Sequence, residues 1–282
     1  MFKKYINYGV AELMKKIRLD AFIAEKNLSQ SREKGRREII AGWVKVNGET
    51  VRDPSKKING DENVTVDRPG GIFVSRGGDK LKKGIDYFGI DLAGRVALDL
   101  GASTGGFTDC MLKNGAVKVY AVDVGYNQLD YSLRTDSRVV VMEKTHARDI
   151  NKSMFSGDID FFTADLSFIS ILKVLPSVAA LFDRIEGVVL LKPQFEAESS
   201  QQKKGVVKSP EHHIGIVKRV VYGIADCGFI PVGMTFSPVK GPAGNIEFLV
   251  YLKRGFEDDS SVRIISDELI EETVKSAHKE LN

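Results

Sequence analysis

The sequence predicts a doubly wound α/β domain built on a seven-stranded sheet, preceded by a small basic α+β module. Three observations carry this. Five short Val/Leu-rich runs (VALDLG, KVYAVDV, VVVMEK, DFFTADL, GVVLLKP) are interspersed with helical stretches, the rhythm of βαβ units around a parallel sheet buried on both faces. Two more strands, FIPVGMTF and IEFLVYLKR, are separated by SPVKGPAGN. That loop is too short for a crossover helix, so the last strand should run antiparallel to its neighbour. Ahead of all this, residues 15–60 hold 12 Lys/Arg against 6 Asp/Glu in a helix–helix–hairpin pattern.

Taken in order, residues 1–16 read as an extension. In 17–67, Ile17, Leu19, Phe22, Ile23 and Leu28 fall near helical spacing. Ser29 and Ser31 can cap a second helix, with Ile39, Ile40 and Trp43 on its apolar side and Gly42 at its end. Val44 and Val46 flank Lys45, and Asn47-Gly48 signals a hairpin. Arg18, Arg32, Lys34, Arg36, Arg37 and Lys45 are long cations in this module, suited to the phosphates of an A-form RNA backbone. A solvated helix face paired with Glu33 and Glu38 is the plainer alternative. Residues 68–79, RPGGIFVSRGGD, read as a linker. The large domain runs 80–254, with a helix at KLKKGIDYFGI, another at FTDCMLKNG and a third at ISILKVLPSVAALFDRI. Residues 255–282 carry a net charge of −5 and read as an acidic tail with one helix. Against a net charge of +3 for the whole chain, this contrast of basic front and acidic tail suggests a polyanion met by the front.

Composition excludes several classes. Cys110 and Cys227 are the two cysteines, with no CxxC or Cys/His cluster, so no metal site or disulfide framework is expected. No run approaches 18 apolar residues and no signal-peptide core is visible. A cytoplasmic protein without membrane association is expected.

The first strand leads into Asp99-Leu100-Gly101-Ala102-Ser103-Thr104-Gly105-Gly106-Phe107. This glycine-rich turn lets a ligand approach the backbone, but it fits neither GxGxxG nor GxxxxGK[ST]. Asp123, about 20 residues on, is placed to accept bonds from ribose hydroxyls. A glycine loop and a ribose acid without phosphate-binding features suit S-adenosylmethionine; a tight βα turn with a capping Asp is the alternative. Asp149 could bond an adenine amino group or cap a helix.

Asp165 and Lys192 end the fourth and fifth strands, and Glu247 begins the last, which its antiparallel direction puts on the same rim. That rim is where open α/β sheets bind ligands. Lys80 could return to it from the linker side. A ribose 2′-hydroxyl needs its proton removed before it attacks, and a lysine can do so if its surroundings bring its pKa towards roughly 7–8. Lys192 is the candidate base and Asp165 its orienter; Lys80 would compensate oxyanion charge or fix the target phosphate, and Glu247 would orient Lys80 or the ribose. Salt bridges tying off strand ends are the structural alternative. Ser167 and Phe168 follow Asp165 and could flank a target nucleotide, Phe168 stacking on an extruded base or packing in the core. The polar segment 196–213 could be a mobile loop, and His212 and His213 read as helix-start residues.

RLDAFIAEKNLSQSREKGRREIIAGWVKVNG resembles an S4 RNA-binding domain. SRGGDKL, DLGASTGGFTD, AVDVG, ADLSFIS, LLKPQFE, GVVKSPEHH and GPAGNIEFL together resemble the TlyA family, an S4 domain joined to an FtsJ-like methyltransferase domain. The resemblance implies a Rossmann-like seven-stranded methyltransferase sheet and S-adenosylmethionine as cofactor. It implies a Lys-Asp-Lys-Glu tetrad at Lys80, Asp165, Lys192 and Glu247, and 2′-O-methylation of cytidine in ribosomal RNA or subunits. Ser103-Thr104 depart from the G-A-x-P-G-G of FtsJ proteins. A non-catalytic RNA-binding or ribosome-assembly protein is the competing expectation. A membrane-lysing protein, after the family's older label haemolysin, finds no supporting segment.

Overall fold

A computed structural model describes residues 16–26, 28–29, 31–66, 72–202, 205–241, 243–256 and 264–281. The chain divides into two compact units, Met1–Gly71 and Ile72–Asn282. The extension up to residue 15 and the linker's start lie outside the described residues.

In the first unit, β1 (Ile17–Arg18), α1 (Leu19–Glu25) and α2 (Arg32–Ile40) precede β2 (Val44–Val46), β3 (Glu49–Val51), β4 (Lys57–Ile58) and β5 (Val64–Val66). Ser31 caps α2 by accepting from the Lys34 amide at 3.1 Å. Asn47 and Gly48 both take positive φ, as a two-residue hairpin between β2 and β3 demands. Leu19, Phe22, Ile23, Ile39 and Val44 fill the core. A Cβ on Gly35 would lie 2.8 Å from Ile23 Cδ1, so glycine lets α1 and α2 pack closely.

The second unit opens with α3 (Arg76–Phe88), then β6 (Val96–Leu100), α4 (Gly106–Lys113), β7 (Lys118–Asp123), α5 (Tyr131–Arg134) and β8 (Val139–Glu143). There follow β9 (Phe161–Ala164), α6 (Leu175–Leu181), β10 (Ile185–Leu191), α7 (Pro193–Glu196), α8 (Pro210–Asp226), β11 (Ile230–Phe236), β12 (Phe248–Arg254) and α9 (Asp267–Leu281). The sheet order is β11-β12-β10-β9-β6-β7-β8, and β12 is antiparallel to both neighbours. All seven expected strands are present in this mixed α/β sheet, with apolar clusters on both faces.

Three elements differ from expectation. Helix α3 starts at Arg76, capped by Ser75, inside the segment read as linker. The run ISILKVLPSVAALFDRI splits into a 3-10 turn and α6, because Pro176 lacks an N–H and seats itself in a first helical turn. The helix of the acidic tail, α9, is part of the body: Ile270, Val274 and Ala277 are buried, and Lys218 on α8 holds Asp267 and Glu271. No helix among the described residues is long and apolar enough to cross a membrane.

Candidate active site

The glycine turn leaves β6 at the carboxyl edge of the parallel strands. Gly101 has φ +85°, and a Cβ there would stand 2.5 Å from the Asp165 carbonyl oxygen. Glycine therefore lets two loops touch, one carrying the turn and the other Asp165. The Asp123 carboxylate ends β7 and accepts from the amides of Ser103 at 2.8 Å and Gly125 at 2.7 Å. Each of its oxygens keeps a second lone pair for an incoming hydroxyl. A cavity of about 570 Å³ is lined by Gly101, Ser103, Asp123, Gln128, His146 and Arg148, and by Asp165, Ser167 and Phe168. Its size and its mix of backbone, carboxylate and apolar lining suit an adenosyl ligand.

Other residues assigned to the cofactor from sequence are not among those lining this cavity. Asp99 is fully buried; its two oxygens accept from Thr108 Oγ1 at 2.6 Å and Thr163 Oγ1 at 2.9 Å. Burial pushes this carboxyl up to about 6, against the opposing effect of the two threonine bonds. It binds β6, α4 and β9 together behind the cavity. Ala102 and Phe107 are core residues. The Thr104 carbonyl accepts from Asp130 N. Gly105 caps α4 with φ +93°, close against Leu129 and Leu133. Gly106 serves helix packing, since a Cβ on it would lie 2.8 Å from the Gly78 amide nitrogen in α3. Asp149 is exposed and lies just past Thr145–Arg148, the part of that loop lining the cavity.

The four polar residues of the rim form two ion pairs. Lys192 Nζ lies 2.5 Å from Asp165 Oδ1 and 3.2 Å from Ser167 Oγ. Lys80 Nζ lies 2.5 Å from Glu247 Oε2, with side-chain exposures of 10% and 1%. Lys80 reaches the rim from inside α3, and Glu247 stands just ahead of β12. Gln194, which the sequence offers within LLKPQFE without a role, donates from Nε2 to Glu247 Oε1 at 3.4 Å. Beside the first pair, Phe168 is 91% exposed with φ +63°, and its ring lies 5.0 Å from that of Phe195. An exposed aromatic on left-handed backbone is held against both solvation and its own conformational preference.

Segment 196–213 is anchored by Asn245, whose Oδ1 accepts from Val207 N and whose Nδ2 donates to the Gly205 carbonyl; residues 203–204 lie outside the described residues. His213 is a buried residue of the first turn of α8. In the first unit, Arg18 forks onto Asp20 and Arg32 pairs with the same carboxylate at 3.3 Å, whereas Arg36 and Arg37 are exposed. Lys34 and Lys45 are partly buried. No group of three or more His, Cys, Asp or Glu that could hold a metal occurs among the described residues.

Fold and rim together define a methyltransferase body, and residues 73–254 match the FtsJ-like methyltransferase family while residues 17–64 match the S4 domain. The chain is 45% identical over 238 residues to Hemolysin A of Brachyspira hyodysenteriae, covering 83% of this chain and 99% of that one. It is 38% identical over 258 residues to the 16S/23S rRNA (cytidine-2′-O)-methyltransferase TlyA of Mycobacterium tuberculosis, covering 90% and 96%. The solved structure of a "putative hemolysin" from Streptococcus thermophilus shares 40% identity and a TM-score of 0.74, covering 95% of this chain and 97% of that one. The chain belongs to the TlyA family of S4-bearing, FtsJ-like methyltransferases.

Proposed function

We propose that this protein methylates a ribose 2′-hydroxyl of ribosomal RNA, with cytidine as the target nucleotide and S-adenosylmethionine as donor, in the cytoplasm where ribosomal subunits are found. The observation that carries this is Asp165: its backbone abuts the glycine turn, it lines the cavity, and its carboxylate holds Lys192. Acceptor activation and donor binding thus share one residue.

When bound, the cofactor supplies an electrophilic methyl carbon on a sulfonium. Gly101, Ser103 and Asp123 would hold it. Lys192 in its neutral form would take the proton of the 2′-hydroxyl, leaving that oxygen ready for the methyl group the donor supplies. Ser167 accepts a hydrogen bond from Lys192 Nζ and Asp165 holds the same nitrogen by charge, so the two fix where that nitrogen stands. Lys80, held by Glu247, offsets the negative charge that develops on oxygen. Phe168 offers a face on which a base turned out of its helix stacks, recovering part of the few kcal/mol that extrusion costs. The exposed Arg36 and Arg37 of the S4 module bind phosphates.

The test is methyl transfer from labelled cofactor to subunits of cells lacking the protein, with the label mapped on the RNA. Lys192→Ala is expected to abolish transfer while cofactor affinity stays near wild type. Near-normal turnover in that variant removes Lys192 from the chemistry, and label on a base instead of a ribose refutes the reaction.

A further inference from the structure

We infer that Gln194 is a positioning residue that sets the Glu247 carboxylate and joins the two ion pairs into one unit; this rests on the methyl-transfer reading above. Glu247 is 1% exposed, and Lys80, Gln194 and Gly241 stand close to its carboxylate. Lys80 Nζ meets Oε2 at 2.5 Å and Gln194 Nε2 meets Oε1 at 3.4 Å. On the remaining side Gly241 presses in, where a Cβ would stand 2.5 Å from Oε1. Lys80 thus meets Glu247 as a charge, and Gln194 and Gly241 meet it as neutral groups.

The chemistry of a carboxylate dictates how the amide faces. Glu247 offers acceptors alone, so the amide must present its nitrogen, since the opposite orientation sets oxygen against oxygen. That choice leaves Gln194 Oε1 buried without a hydrogen-bond partner. A methionine of similar reach would fill the space without an orphaned acceptor. Packing therefore does not account for a glutamine here; its nitrogen does.

The backbone makes the coupling. Gln194 lies in the single turn α7, two residues beyond Lys192, and that turn is closed by Phe195 N to the Lys192 carbonyl at 2.9 Å and Ala197 N to the Pro193 carbonyl at 2.8 Å. Glu196 Oε1, at its end, accepts from Ile171 N at 2.8 Å. One short, pinned turn thus carries the lysine of the first pair and the amide that steadies the second. Movement of Glu247 would move Lys80, and the tether through Gln194 opposes it.

The test compares full-length wild type, Gln194→Met and the nearly isosteric Gln194→Glu in methyl transfer to ribosomal subunits across pH, with cofactor affinity by calorimetry and melting temperature alongside. Both variants are expected to keep wild-type cofactor affinity. In Gln194→Met, kcat should fall roughly 10- to 100-fold at every pH, the effect of a small misplacement of catalytic groups. In Gln194→Glu a second carboxylate beside Glu247 holds a proton to higher pH; protonated it donates as the amide does and ionised it repels Glu247, so kcat should stay near wild type at low pH and fall as that proton leaves. Wild-type kcat and pH profile in both variants overturn the inference. So does a common drop in melting temperature and cofactor affinity with no added pH dependence in Gln194→Glu, the mark of a packing residue. A Lys192→Ala protein that still turns over in the same assay defeats the parent reading instead, and the inference with it.

Discussion

Replacing Lys80 with methionine should separate what its ion pair does for stability from what it does for chemistry. The pair is almost fully enclosed, with 10% exposure on Lys80 and 1% on Glu247, and the charges are 2.5 Å apart. Removing one member of such a pair strands the other charge without water, at a cost of about 3–5 kcal/mol. For a domain of this size each kcal/mol shifts Tm by about 2–4 °C, so Lys80→Met should melt roughly 6–20 °C below wild type. Replacing both Lys80 and Glu247 by methionine removes the stranded charge, and apolar replacement of a buried pair is near neutral or stabilising. The double variant should therefore recover most of the lost melting temperature while methyl transfer stays abolished. Thermal melts and transfer assays on the three proteins decide the matter. A single variant as stable as wild type shows that the charge is not stranded, and an active double variant shows that the pair serves the fold alone.

Gly101→Ala forces a side chain onto a residue at φ +85° and against the Asp165 carbonyl. Left-handed strain of about 1–2 kcal/mol adds to a backbone clash, so cofactor affinity measured by calorimetry should fall together with turnover. His213 makes stability sensitive to acid. Burial lowers its pKa from the ordinary 6.5 to about 4, and the unfolded chain takes up the proton first as pH falls. The stabilisation is complete above pH 6.5 and is lost progressively towards pH 4, about 3 kcal/mol at most from a shift of this size. Denaturant midpoints from pH 7 to pH 4.5 should fall in wild type and fall less in His213→Phe; parallel curves would assign acid sensitivity elsewhere. Neutralising Arg36 and Arg37 together should reduce the salt slope of ribosomal RNA binding by about 1–2. An unchanged slope would take α2 out of the phosphate contacts.

The strands were legible because buried parallel strands leave dense Val/Leu runs, and the reversal of β12 because its loop is too short for a helix. The rim residues were legible because strand ends define an edge, so Asp165, Lys192 and Glu247 follow from position alone. What failed to show is instructive in detail. The glycines of SRGGD look like linker, yet Gly77 and Gly78 lie in α3, where a Cβ on Gly78 would come 2.2 Å from Phe73 Cγ. Gly78 is small because Phe73 folds back onto it, and Gly106 because α4 meets α3 there, three-dimensional reasons that in one dimension read as a flexible linker and as part of a glycine turn. Asp99 shows the same limit: an acid at a strand end can face the ligand or the sheet interior, and two threonines distant in sequence decide for the interior. Gln194 stood in LLKPQFE without a role because the carboxylate it meets, Glu247, lies 53 residues away.

The antiparallel strand explains how this rim is closed. A parallel strand delivers a side chain to the ligand edge where it ends, so Asp165 and Lys192 sit beyond the carboxyl ends of β9 and β10. The next strand in space, β12, runs the other way, so the residue just before its start arrives on that edge, and the Glu247 carboxylate meets Lys80 from 167 positions earlier. The second ion pair therefore fastens the first helix of the body to its last strand. Helix α9 packs on β11, the outer neighbour of β12, and on α8. Local opening of this edge would release Glu247 and unseat Lys80 before the cavity on the far side of Asp165 is disturbed. Loss of catalysis ahead of loss of cofactor binding is then the order in which this active site should come apart.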